Sequence, residues 1–235
     1  SNFNYKILNK MTGAYIIGAI VMIISMAVSQ QLKNKFRKYS KMPMSNGMSG
    51  AEIAQKMLQD NGIHDVKIKA AKGMLTDHYN PADKTVNLSE GVYSQRNAAA
   101  AAVAAHECGH AVQHATAYRW LQLRSKLVPI VSISSRFVQW VLLGGILMIN
   151  TFPQLLLIGI IMFAAMTIFS IVTLPVEYDA SHRALRWMED KNVVTVGEQA
   201  AAKDALTWAA RTYLVAAIGS IATLLYYLSI FMRRR

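Results

Sequence analysis

What this chain has little of narrows its class first. Its 235 residues hold one cysteine and 13 acidic residues, and only 16% of positions are charged. A lone Cys108 cannot bridge within the chain, so a disulfide scaffold is excluded and a reducing compartment is compatible. No internal repeat, phosphate-cradling glycine loop or nucleic-acid motif occurs. With 53% hydrophobic residues, disorder and collagen-like repeats are excluded as well. The 25 basic residues leave a net charge of +12, which in an apolar chain points either to nucleic acid or to a membrane. They flank apolar runs rather than lining a polar stripe interleaved with aromatics, so a nucleic-acid partner is not expected.

The apolar residues condense into four runs long enough for a bilayer core, which needs about 20 helical residues. The first, Met11 to Ser29, carries no charge and exceeds the usual core of a signal peptide, so residues 1–29 are expected to be a retained anchor. Residues 137–176 read as a transmembrane hairpin broken by Asn150, Thr151, Phe152, Pro153 and Gln154, its first span short unless it starts before Arg136. The fourth span is expected within 213–235 and ends on Arg233, Arg234 and Arg235. Lys33, Lys35, Arg37, Lys38, Lys41, Arg119, Arg124 and Lys126 crowd the polar side of these spans. Lys6, Lys10 and the terminal arginines occupy the other. The positive-inside bias therefore puts the polar part on the cytoplasmic face of the cell membrane.

That polar part, 30–136 together with 177–212, is expected to be a small α/β insertion. Ser49 and Glu52 form a capping-box pattern ahead of Ile53, Met57 and Leu58, which predicts a helix over 50–60. The pairs Val66 and Ile68, Met74 and Leu75, and Val86 and Leu88 predict short strands of a small antiparallel sheet, divided at Gly73 and at Asn80-Pro81-Ala82-Asp83. An alanine-rich run then predicts a helix over 97–118. Thr195 and Glu198 repeat the capping box, opening a helix expected to run through the fourth span with Ala200, Leu206 and Trp208 near the alanine-rich helix.

The chemistry lies on the alanine-rich helix, where residues 106–110 read His-Glu-Cys-Gly-His. Residues four apart share one helix face, so His106 and His110 can meet at a single metal ion. Glu107 lies beside that face, where its carboxylate can deprotonate a water activated by the metal. This division of labour is the reason for H-E-x-x-H in zinc hydrolases. Cys108 points about 200° away and is expected to pack. His114 lies roughly 12 Å along the axis from His106, too far for the same ion.

A catalytic zinc usually keeps three protein ligands and one open position. The candidates for the third are His114, Cys108, Asp77, His78, Glu177, Asp179 and His182. Glu177 is favoured because the hairpin returns the chain to the side of His106, and a carboxylate at a span end is costly to leave unpaired. A surface salt bridge from Glu177 is the competing reading. If Pro175 opens a helix, Ser181 lies one turn beyond Glu177 and can hydrogen-bond a ligand or the carboxylate. Asp179 points elsewhere. Asp77, His78 and Tyr79 can stabilise an oxyanion or line a substrate cleft; they can equally form a turn in which Asp77 caps backbone groups and Tyr79 packs. His182 and Arg183 are alternative oxyanion partners.

Several segments together resemble the YugP-like neutral zinc metallopeptidases of bacterial membranes: Lys38-Tyr39-Ser40-Lys41, Ser49-Gly50-Ala51-Glu52, Leu75 to Pro81, Ala104 to Ala111, and Thr173 to Ser181. That family is similar to the wider gluzincin proteases of the HtpX and CAAX-prenyl-protease type. The resemblance implies a zincin-like core, one Zn2+, and Glu177 as the third ligand. Four residues past the ligand those relatives commonly carry Asp, whereas this chain has Ser181. The expected protein is thus a four-span α-helical multi-pass membrane protein with a zinc site. As a peptidase it would act on polypeptides in or at the lipid bilayer. The alternative is a zinc-stabilised membrane scaffold or adaptor without catalysis.

Overall fold

The computed structural model describes residues 2–233, so Arg234 and Arg235 of the expected terminal arginine cluster lie outside the described residues. Six helices and three strands follow in the order α1 (Asn2–Ser40), α2 (Gly50–Asp60), β1 (Lys67–Ala71), β2 (His78–Asn80), β3 (Thr85–Ser89), α3 (Ala98–Ala115), α4 (Arg119–Leu147), α5 (Pro153–Asp190) and α6 (Val196–Met232). α1, α4, α5 and α6 are each long and apolar enough to cross a bilayer. α4 begins well before Arg136, so the helix that carries the second apolar run is not short.

The chain divides into two compact units. Among the described residues one gathers 2–27, 123–174 and 212–233, the apolar stretches of the four long helices. Its helices meet where side chains are small. A Cβ on Gly145 would stand 2.5 Å from the Leu156 backbone, and one on Gly219 2.5 Å from Val21. In a lipid setting such close packing replaces the hydrophobic drive that holds helices together in water.

The second unit gathers Val28–Gln122 and Pro175–Arg211 and has its own core. The Ser49 hydroxyl accepts from the Glu52 amide while the Glu52 carboxylate accepts from the Ser49 amide, so α2 starts on a complete capping box. Ile53, Ala54, Met57 and Leu58 are the face that α2 buries. Asn97 caps α3 by accepting from the Ala100 amide at 2.9 Å. Ala98 through Ala102, with Ala104 and Ala105, are all buried, because methyl side chains let this helix sit deep in the core. The Thr195 and Glu198 capping box forms at the start of α6. The α6 residues that join the core are Ala201, Ala202, Ala205 and Leu206, whereas Ala200 is exposed and Trp208 lies under the Arg211 guanidinium.

The sheet differs from the antiparallel one expected. Its order is β1-β3-β2, with β1 parallel and β2 antiparallel to β3. β3 takes the centre because Thr85, Val86, Leu88 and Ser89 are all buried, and a strand covered on both faces needs neighbours on both edges. Met74 and Leu75 are not a strand: they lie in the crossover from β1 to β2, where Gly73 and Leu75 have φ of +93° and +58°. The second strand in chain order is instead His78–Asn80, which lies at an edge of the sheet. Pro175 does not open a helix but lies inside α5. A proline in a helix interior costs about 3 kcal/mol, and the next turns offset that cost by full burial of Val176, Ala180 and Ala184.

Candidate metal centre

Within the second unit, α3 and the C-terminal half of α5 bring His106, His110 and Glu177 together, with one potential ligand atom from each all within 4.8 Å of one another. Gly109 permits the approach. A Cβ there would overlap the Ala180 carbonyl of α5, closer than real Cβ contacts occur. The glycine inside the His-Glu-Cys-Gly-His run is therefore the contact surface between the two helices that carry the three side chains.

Both imidazoles present Nε2 to Glu177, at 3.0 Å from His106 and 3.5 Å from His110. Each Nδ1 is occupied by the protein: that of His106 lies 2.9 Å from the Ser181 hydroxyl, and that of His110 lies 3.0 Å from Gln113 Oε1. The Gln113 amide nitrogen donates to the Val176 carbonyl and to Asp179 Oδ2, each at 2.8 Å. Both of those partners are acceptors, which fixes the orientation of the Gln113 amide and leaves Oε1 toward His110. His110 Nδ1 must then carry the proton, and its Nε2 presents a lone pair to a carboxylate oxygen. Two lone pairs face each other in a buried place, an arrangement that needs a cation or a second proton between them. Two imidazole nitrogens and one carboxylate oxygen form a donor set that suits zinc with a fourth position left open. The residues present fit that ion.

Glu107 is also buried. Burial pushes its carboxyl up to about 7, with the charge of His106 pulling it down and those of Glu177 and Asp77 pushing it up. Cys108 packs against the Ala54 carbonyl on the far side of α3, and burial raises its thiol far above the range in which it ionises. His114 lies on the same helix but its Nδ1 is 2.7 Å from the Tyr79 hydroxyl. Asp77 accepts from the Ser89 amide at 2.7 Å and the Ser89 hydroxyl at 3.0 Å, tying the start of β2 to the end of β3. His78 Nδ1 donates to the Thr76 carbonyl at 2.8 Å. Arg183 donates to Asp179 at 2.6 Å and stacks over Tyr118.

Two roles escaped the sequence. Gln113 is fully buried and orients His110, and Asp179, which was expected to point elsewhere, holds Gln113 in place. A signal for Gln113 was present: it follows His106 by seven positions and His110 by three, so one polar side chain continues the stripe of the two histidines through a run of small residues.

A largely buried His-His-Glu cluster with a neighbouring buried glutamate, on a helical protein with four helices long and apolar enough to cross a membrane, points to a class: metal-site membrane proteins of the zinc-peptidase kind. The family described as "Putative neutral zinc metallopeptidase" matches residues 14–232, and the chain belongs to it. The chain is 40% identical over 205 residues to the "Putative membrane protease YugP" of Bacillus subtilis (strain 168), covering 87% of this chain and 90% of that protein. No solved structure matches. These likenesses support a protease role that uses zinc, and with the four apolar helices they support membrane localisation.

Proposed function

We propose that the protein is a membrane-embedded zinc endopeptidase of gluzincin type, in which His106, His110 and Glu177 hold one zinc ion and Glu107 is the general base. The observation that carries this reading is the buried facing of His110 Nε2 and Glu177 Oε2, in a tautomer that asks for a cation. When bound, the zinc supplies Lewis acidity at its open position. Glu107 takes the proton of the attacking water on its carboxylate and delivers it to the nitrogen of the leaving amine. Burial raises its carboxyl in the metal-free chain, which favours uptake of that proton. Ser181 and Gln113 hold the two imidazole rings, so neither has to be ordered when substrate arrives.

β2 is an edge strand carrying His78 and Tyr79, and its unpaired side can align an extended polypeptide by main-chain hydrogen bonds regardless of sequence. Membrane or membrane-associated proteins are the substrates that suit a site carried on these helices, with residues 30–136 and 177–212 as the catalytic part on the cytoplasmic side. The test compares full-length wild type and Glu107→Gln for zinc content and for cleavage of casein and of a membrane protein. The expected result is one zinc per chain in both, with cleavage lowered about 10²- to 10⁴-fold in the variant. Equal cleavage by the two proteins overturns the reading and returns the zinc to a scaffold role, for which Glu107 has no use.

A further inference from the structure

Apart from the His-His-Glu cluster, the last turns of α1, the crossover from β1 to β2 and the segment before α3 line an open pocket of about 640 Å3, with Lys33, Phe36, Arg37, Met74, Leu75 and Asn97 in its wall. Its walls are unusual in two respects. Met74 is 79% exposed and Leu75 57% exposed, and Leu75 holds a left-handed backbone that a leucine adopts only at a cost. Two adjacent apolar side chains displayed by such a loop gain nothing from water. Across from them, Lys33 and Arg37 make no side-chain hydrogen bond or ion pair among the described residues. The neighbouring cations on α1 are satisfied: Lys35 pairs with Asp204 at 2.8 Å and Lys38 lies over the Tyr39 ring. The two charges one turn apart on the cavity side are the ones left over.

Their place along α1 names the ligand. The apolar run ends at Ser29, so Lys33 and Arg37 follow it by four and eight residues of the same helix, about 6 and 12 Å. For a helix that spans a bilayer this is the level of the lipid headgroups, and long basic side chains reach back toward them. Clustered Lys and Arg just outside a span attract anionic lipid.

We propose that this cavity is a binding site for an anionic phospholipid, its phosphate held by Lys33 and Arg37 and an acyl chain lying against Phe36, Met74 and Leu75. A soluble phosphate would leave the apolar wall unused, and a zwitterionic lipid would bring its own cation to a site that already holds two.

Native mass spectrometry of the full chain in detergent, titrated with phosphatidylglycerol or with phosphatidylcholine of the same acyl chains, tests this. Wild type is expected to retain phosphatidylglycerol in preference. Lys33→Gln with Arg37→Gln is expected to weaken phosphatidylglycerol retention about 30-fold, toward the phosphatidylcholine level. Met74→Ser with Leu75→Ser is expected to weaken both lipids. Lys67→Gln with Lys69→Gln, which removes the same charge from β1, is expected to change nothing. Equal retention of the two lipids by wild type overturns the proposal. So does an equal loss in the β1 variant, which would mean diffuse charge attraction, or displacement of the lipid by glycerol 3-phosphate, which would mean a site for free phosphate.

Discussion

His110 Nδ1 donates to Gln113 Oε1 at 3.0 Å within α3, and Gln113 is gripped from the other side by Val176 and Asp179 of α5. The helix that contributes Glu177 therefore also sets the tautomer of the histidine facing it. Glu177 and the two groups that hold Gln113 arrive on the same element, so α3 alone does not complete the cluster.

Replacing Gln113 with Leu keeps the volume and removes the acceptor. His110 then loses the bond that fixes its ring, and Asp179 keeps only Arg183. Zinc affinity is expected to fall about 10- to 100-fold, the usual cost of losing such a partner. Competition with a chromophoric chelator on the full-length protein measures it, and unchanged affinity would show that His110 needs no orientation.

Gly109→Ala tests the close approach of α3 to α5. The added methyl meets the Ala180 carbonyl, which belongs to a helix backbone and cannot swing aside as a side-chain tip would. Overpacking of this kind costs about 1–3 kcal/mol and pushes Glu177 away from the two imidazoles. Lower thermal stability and weaker zinc binding are expected together. Gly18→Ala is the matched control, since a Cβ there meets nothing within 4 Å; comparable damage from both would assign the effect to the alanine itself.

The pattern of residues made the site legible further than it made the fold legible. The alanine-rich helix and the two capping boxes follow from short-range rules and form as expected, and helical spacing sets His106 and His110 on one face beside Glu177. The sheet was misread because pairing is set by burial over distance. Met74 and Leu75 look like strand residues, but only β3 is covered enough to be central, so the chain crosses over instead of turning back. Pro175 departs from its local preference for a related reason: proline favours a helix start, and the burial of Val176 and Ala180 outweighs that preference. Gln113 and Asp179 needed both helices in place before their roles could be seen.

Asp77 separates two readings of its segment. Its carboxylate holds the amide and hydroxyl of Ser89, which makes it a clasp between strands. Asp77→Ala leaves the Ser89 groups unpaired, and a loss of about 1–3 kcal/mol in stability is expected with zinc stoichiometry unchanged. Thermal unfolding with metal analysis of the same samples checks this; a fall in bound zinc would instead place Asp77 among the groups that hold the ion.

The buried Glu107 makes stability depend on pH in the metal-free protein. Its carboxyl is raised from 4.5 to about 7 by burial, so between those values the folded chain keeps a proton that the unfolded chain has released. Stability changes with pH in proportion to protons bound by the unfolded state minus those bound by the folded one, and here that difference is negative. This contribution is therefore full below about pH 4.5, is lost as pH rises toward 7, and stays lost above it. The size is about 3 kcal/mol at most. Glu107→Gln cannot titrate, so subtracting its thermal midpoints from those of wild type in chelator removes the groups the two share. Wild type is expected to lose ground against the variant from pH 4.5 to 7 and to run parallel above. Parallel midpoints over the whole range would mean that burial does not hold a proton on Glu107 in the folded metal-free chain.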